Sequence, residues 1–243
     1  MRNFILIFCF IMTVSLLTAF DSPAPDGRMT ASFGAAVKGE LNTGIDIRTR
    51  DVIASEDGEV LYYSSDLIAL AHDDSMLTIY SGVAVSEALA RNVHVERGQL
   101  LGKTKEGVLH FEVYDLEMER YINPLLMTEK IKKSELPQVK DLSYDSKTGM
   151  LSVYMSDKEL MGLCKVQISV DGQVVSTLGF RTIQRRGETL ALEREGFEYR
   201  VLYGRQGAFT FPDIKLKPGE NSVDVIVTDF YGKKVVFHGR ITV

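Results

Sequence analysis

The stretch KEGVLHFEVYD, residues 105–115, decides how this chain is read. From Val108 onward it has the composition of one β-strand, and alternate side chains of a strand point the same way. Histidines at both 108 and 110 would set two imidazoles on one face, where they could build a metal site. Here the first of those positions is Val108, and His110 stands alone. The strand therefore either still carries chemistry or keeps only the shape of a site that once did.

Around it lies a chain of 243 residues, 45% hydrophobic and 25% charged, which suits one large or two modest globular cores. The N-terminus, MRNFILIFCFIMTVSLLTAFDSPAPDG, has a basic residue at Arg2, an apolar run from Phe4 to Phe20, and then Pro23 and Pro25. This is the layout of a secretory signal over residues 1–20, with a cut near Ala19. The run is also at the short limit of a membrane span, so an uncleaved N-terminal anchor is the alternative. Either way the chain is expected to be exported, to a periplasm or cell envelope. A net charge of −5 excludes nucleic acid as a natural partner, because phosphates demand a basic face. Of the two cysteines, Cys9 lies inside the apolar run, leaving Cys164 as a buried thiol without an internal disulfide partner.

Two segments of β character follow. From Ala31 to about Met127, short apolar runs such as GEVLYYSS and MLTIYSGVAV are broken by Gly, Asp and Ser, the pattern of antiparallel strands. SEALARN, residues 86–92, is the one helical candidate. Residues 129–138, ending near Pro137, are charged and read as a linker. From 139 to 243 a second β pattern appears, with turns at Asp171–Gly172, Pro218–Gly219 and Tyr231–Gly232, as in an immunoglobulin-like sandwich. The charged stretch 181–200 reads as a solvated loop or edge region.

The pieces of residues 28–128, taken in order, resemble the lysostaphin/LytM-type zinc metallopeptidases, which cut peptide bridges of bacterial peptidoglycan. Ser32, Phe33 and Gly34 are similar to the opening SxFG, and LNTGIDI to the HxGxD element. LTIYSGV resembles TxYxHL, VERGQLLGKT resembles a V..GQ.IG hairpin, and VLHFEVYD with INPL resembles the HLHFEV…NP close. The implied fold is all-β: an open antiparallel sheet with a groove over its face, followed by the sandwich.

The resemblance also implies a site that can be checked by position. A catalytic zinc takes three protein ligands and activates a water in the fourth place. The matching positions here are Asn42, Asp46 and His110, so two ligands remain, and the Asn42 carboxamide does not replace an imidazole. The positions of the two histidines that would serve as base and transition-state stabiliser hold Gly82 and Val108, which do neither. GKTKEGVLHF also lacks the glycine-rich lead that lines the family's groove. His72, His94 and His238 read as exposed or hydrogen-bonded strand residues.

Asp46 and His110 are thus expected to be remnant ligands, with no catalytic residue and no cofactor. Zinc enters only in the alternative, a surviving metalloendopeptidase with an altered ligand set. The expected role is an exported, inactive LytM-type protein that binds peptidoglycan, serves as a scaffold or regulates a peptidoglycan hydrolase or another envelope protein. Membrane contact comes only through the N-terminal segment if it is uncleaved. A further alternative places the function, adhesion or assembly, in the C-terminal sandwich.

Overall fold

The computed structural model describes residues 20–72, 75–86, 89, 91–128, 136–156, 162–192, 197–203 and 208–243. The signal segment up to residue 19, most of the 129–138 linker, and residues 87, 88 and 90 of the helical candidate lie outside the described residues.

The strands of the first half are β1 (Arg28–Ala31), β2 (Ala36–Val37), β3 (Glu40–Leu41), β4 (Ile45–Arg48), β5 (Asp51–Ile53) and β6 (Gly58–Tyr63). They continue with β7 (Leu67–Ala71), β8 (Met76–Ser81), β9 (Val83–Val85), β10 (His94–Val95), β11 (Leu100–Thr104), β12 (Val108–Asp115) and β13 (Arg120–Ile122). After a 3-10 turn at Pro124–Leu126 come β14 (Val139–Asp145), β15 (Met150–Met155), β16 (Leu163–Val170), β17 (Gln173–Gly179), β18 (Thr182–Arg186) and β19 (Thr189–Leu192). The last elements are β20 (Phe197–Glu198), a one-turn helix α1 (Tyr199–Leu202), β21 (Phe209–Phe211), β22 (Glu220–Asp229) and β23 (Lys234–Thr242).

The protein is all-β, and its ladders are antiparallel, as the short alternating runs predict. Among the described residues no helix is long and apolar enough to cross a membrane. β12 is the hub of the main sheet. One edge pairs with β8 from His110 to Asp115, while the other pairs first with β4 and then with β13. Its alternation is complete: Leu109, Phe111, Val113 and Asp115 are buried, and Val108, His110, Glu112 and Tyr114 lie half-buried on the opposite face. The buried side packs with Ile45, Ile47, Ile68, Leu70 and Tyr80 into the core, beneath which β5, β11 and β9 form a small second sheet. Gly44 makes the β4–β12 approach possible, since a Cβ there would collide with the Phe111 carbonyl.

The second half contributes two sheets, β17-β16-β22-β23 and β14-β15-β21. They close on each other so tightly that a Cβ on Gly239 would lie 2.7 Å from Leu142 Cδ1. The hairpin turn at Asp171–Gly172 has positive φ at both residues, 49° and 80°, as a type I′ turn demands. Cys164, on β16, is half-buried rather than buried.

The charged stretch 181–200 resolves into the edge alternative rather than a loop. It forms β18, β19 and β20, and β18 pairs with β13, so the sheet of the first half runs on into the second. Ile183, Ala191 and Leu192 are fully buried, and the charged side chains take the remaining positions. The seam is reinforced: Asn123 donates from Nδ2 to the Phe180 carbonyl at 2.7 Å, and the buried Tyr203 hydroxyl donates to the Gly34 carbonyl at 2.5 Å.

Candidate functional site

Register brings the two candidate ligand positions together. Asp46 of β4 sits directly opposite His110 of β12, and Ser81 of β8 faces His110 from the other edge. Residues opposite each other in an antiparallel pair point to the same face, so the carboxylate and the imidazole meet over the sheet. His110 Nδ1 lies 2.7 Å from Asp46 Oδ1. On its other side, Nε2 lies 3.4 Å from Glu112 Oε1. The Thr43 hydroxyl donates to that same Glu112 oxygen and fixes it in place.

One imidazole thus bridges two carboxylates on a partly sheltered sheet face, with side-chain exposures of 30% for His110, 20% for Asp46 and 12% for Glu112. Burial works against a charged ring, but the hydrogen bonds and charges of Asp46 and Glu112 outweigh it and lift the His110 pKa from 6.5 to about 9. At neutral pH the ring is an imidazolium with both N–H groups directed at carboxylates.

The other positions fall into place around it. Asn42 is buried, 4% exposed, and points away from this sheet face: its Nδ2 donates to the Ser32 carbonyl and its Oδ1 accepts, at 3.5 Å, from Gly44 N. It holds the turn that leads into β4. Gly82 has φ +79°, and a Cβ there would lie 2.8 Å from the Val108 carbonyl oxygen. The backbone itself, not only the side chain, therefore departs from what a histidine at 82 requires. Val108 opens β12 opposite Arg48 and adds no polar atom to the face. The connection from β11 to β12 is only Lys105–Gly107, tied down by Lys105 N to the Gly82 carbonyl and Thr49 N to the Gly107 carbonyl.

Glu112 is the functional-face residue that the sequence reading passed over. Its signal is the spacing itself, two residues after His110 on the same strand. Farther along the same face lie Tyr114 and Tyr121, whose rings meet edge to face at 4.9 Å. The Tyr121 hydroxyl is held above its ordinary pKa by burial, Glu112 and Tyr114, with Arg185 of β18 opposing. His72 hydrogen-bonds the Asp57 carbonyl and the Thr78 hydroxyl, His94 is exposed on β10, and His238 pairs with Asp224 at 2.8 Å.

A catalytic zinc asks for three donors with free lone pairs. At this face one donor nitrogen is spent on Asp46, the other faces Glu112, and Asn42 is turned into the backbone. Among the described residues no group of three or more His, Cys, Asp or Glu is arranged to hold a metal ion. The residues present do not fit the zinc that the sequence resemblance implies.

Fold and site together define an all-β protein whose central strand carries an imidazole clamped between two carboxylates. A protein-family model without a functional description matches residues 121–243, half of the chain, and the chain belongs to the family so defined. That region begins in β13, the strand that joins the sheets of the two halves. No curated protein sequence matches the chain. Among solved structures the chain is similar to one from the SpoIIQ–SpoIIIAH pore-forming complex, at 19% identity and a TM-score of 0.38, over 46% of this chain and 92% of that one. It is also similar to Helicobacter pylori Csd3, at 22% identity and a TM-score of 0.40, covering 49% of this chain and 35% of that one. A zinc-containing peptidase from Vibrio cholerae aligns at 22% identity and a TM-score of 0.35, over 39% of this chain and 36% of its own.

Proposed function

We propose that this chain is an exported cell-envelope protein whose first half, residues 28–128, is a LytM-type fold without catalysis, joined to an immunoglobulin-like sandwich over 139–243. It works by binding, as a peptidoglycan-binding, scaffold or hydrolase-regulating protein. The observation that carries the proposal is the Asp46–His110 contact at 2.7 Å with Glu112 behind it. Two groups that would be ligands in a metallopeptidase satisfy each other, and the proton they share occupies the place of a cation. The sheet face stands without a metal because strand ladders and apolar packing need none, whereas the family's hydrolysis does.

The test is zinc content by mass spectrometry after dialysis against micromolar zinc, together with release of soluble muropeptides from peptidoglycan. The expected result is well under one zinc per chain and no release. One tightly held zinc per chain with muropeptide release overturns the proposal. Co-sedimentation with insoluble peptidoglycan then separates a glycan-peptide ligand from a protein partner.

A further inference from the structure

The seam between the two halves forms an open pocket of about 540 Å³, within the size range of small-ligand sites. Its walls come from three places: Gly39–Leu41 on the β2–β3 hairpin, Arg185 and Glu188–Leu190 on the β18–β19 hairpin, and Glu198–Arg200 on β20 and α1. The cavity therefore exists only because β18 is laid against β13 and Tyr203 is bonded to Gly34. Leu41 is buried and Leu190 and Tyr199 are half-buried, giving an apolar floor. Tyr199 is held against the Tyr203 ring at 5.3 Å.

Five charged side chains line this space: Arg185 and Arg200 against Glu40, Glu188 and Glu198. None of the five makes an ion pair or a side-chain hydrogen bond among the described residues, and Glu198 precedes α1 without capping it. Opposite charges that share a cavity without pairing remain available to a guest. Two guanidinium groups match a carboxylate, for which their planar fork of donors is preorganised. Three carboxylates repel a polyanion and attract an amine. The apolar floor takes a short aliphatic body between the two.

We infer that this cavity is a binding site for the end of a short peptide, its terminal carboxylate on Arg185 and Arg200 and an amine on the glutamates. The site shares no lining residue with Asp46, His110 and Glu112 and stands whether or not those residues are catalytic.

The experiment is a nitrogen–proton correlation NMR titration of the full chain with the tripeptide Ala-Lys-Ala, its C-terminal amide, and inorganic phosphate. Saturable shifts centred on residues 39–41, 185–190 and 198–200 are expected in the millimolar range. Arg185→Gln and Arg200→Gln should each weaken binding on the order of tenfold, as should the amide, through loss of charge-assisted hydrogen bonds. Both arginines are exposed, so unchanged melting temperatures will show that the variants fold. Asp46→Asn should leave the titration unchanged. Absence of shifts, equal binding of the amide, phosphate binding as tight as the peptide, indifference to both substitutions, or shifts centred on Asp46 and His110 would each overturn the inference.

Discussion

Replacing Asp46 by Asn tests whether His110 is held as an imidazolium. The ring is raised from 6.5 to about 9 by two carboxylates that outweigh its burial. Each pH unit corresponds to 1.36 kcal/mol, so the full shift is worth about 3 kcal/mol of folding stability. Screening at a ring that is 30% exposed brings this to about 2 kcal/mol. The sign follows from the direction of the shift. A folded-state pKa above the unfolded one stabilises fully below pH 6.5, fades as pH rises, and is gone above about 9. Urea unfolding of wild type and D46N at pH 6, 7.5 and 9.5 measures this. Wild type should exceed D46N by the largest margin at pH 6, and most of the margin should vanish by pH 9.5. An NMR titration of the His110 ring provides the direct readout. A stability margin that is flat or grows with pH, or a ring pKa at or below 6.5, would refute the imidazolium.

Three further outcomes follow from the geometry. Substituting histidine at 42, 82 and 108 together should not create a zinc peptidase, because the Gly82→His step alone costs about 1–3 kcal/mol at φ +79° against the Val108 carbonyl; stoichiometric zinc and hydrolysis in the folded triple variant would show an intact catalytic scaffold. Tyr203→Phe leaves the Gly34 carbonyl without its buried donor and should destabilise by about 1–3 kcal/mol, read by chemical denaturation. Because β13 and β18 share one ladder, wild type should unfold in a single calorimetric transition; two resolved transitions would mean that the halves are independent.

The sequence made some of this legible and hid the rest for physical reasons. The alternation of VLHFEVYD is enough to make β12 a strand with one apolar face, and the structure buries Leu109, Phe111 and Val113 as that pattern requires. The hairpin at Asp171–Gly172 was equally readable, since few residues adopt positive φ at two successive positions. The joining of Asp46 to His110 is a matter of register between strands 64 residues apart, which local pattern does not fix. The orientation of Asn42 depends on a turn whose acceptor, the Ser32 carbonyl, lies ten residues upstream. Strands β18 to β20 were hidden by their charge. They lie at the margin of a sheet, so few positions, Ile183, Ala191, Leu192 and Phe197, had to be apolar, and the pairing of Tyr121 with Ile183 is visible only in three dimensions.

The contacts among Asp46, His110 and Glu112 balance their charge without a metal. Asp46 and Glu112 are two carboxylates on neighbouring positions of one sheet face, and with no cation between them they would repel and shed part of their shelter from water. A zinc ion is one way to balance that charge. A protonated imidazole set 2.7 Å from one and 3.4 Å from the other is a second, and it needs no open coordination position. Any metal entering the site must first remove a proton from a ring of pKa about 9, which at pH 7 lowers its apparent affinity roughly a hundredfold. Asp46→Asn should therefore do two opposite things at once. It lowers the cost of deprotonating His110, and it deletes a carboxylate that could serve as a donor, so zinc binding measured by competition with a chelator should stay weak in both proteins. Tight zinc binding to wild type at pH 7, with no change on raising the pH to 9.5, would mean that the proton and the metal do not compete for His110.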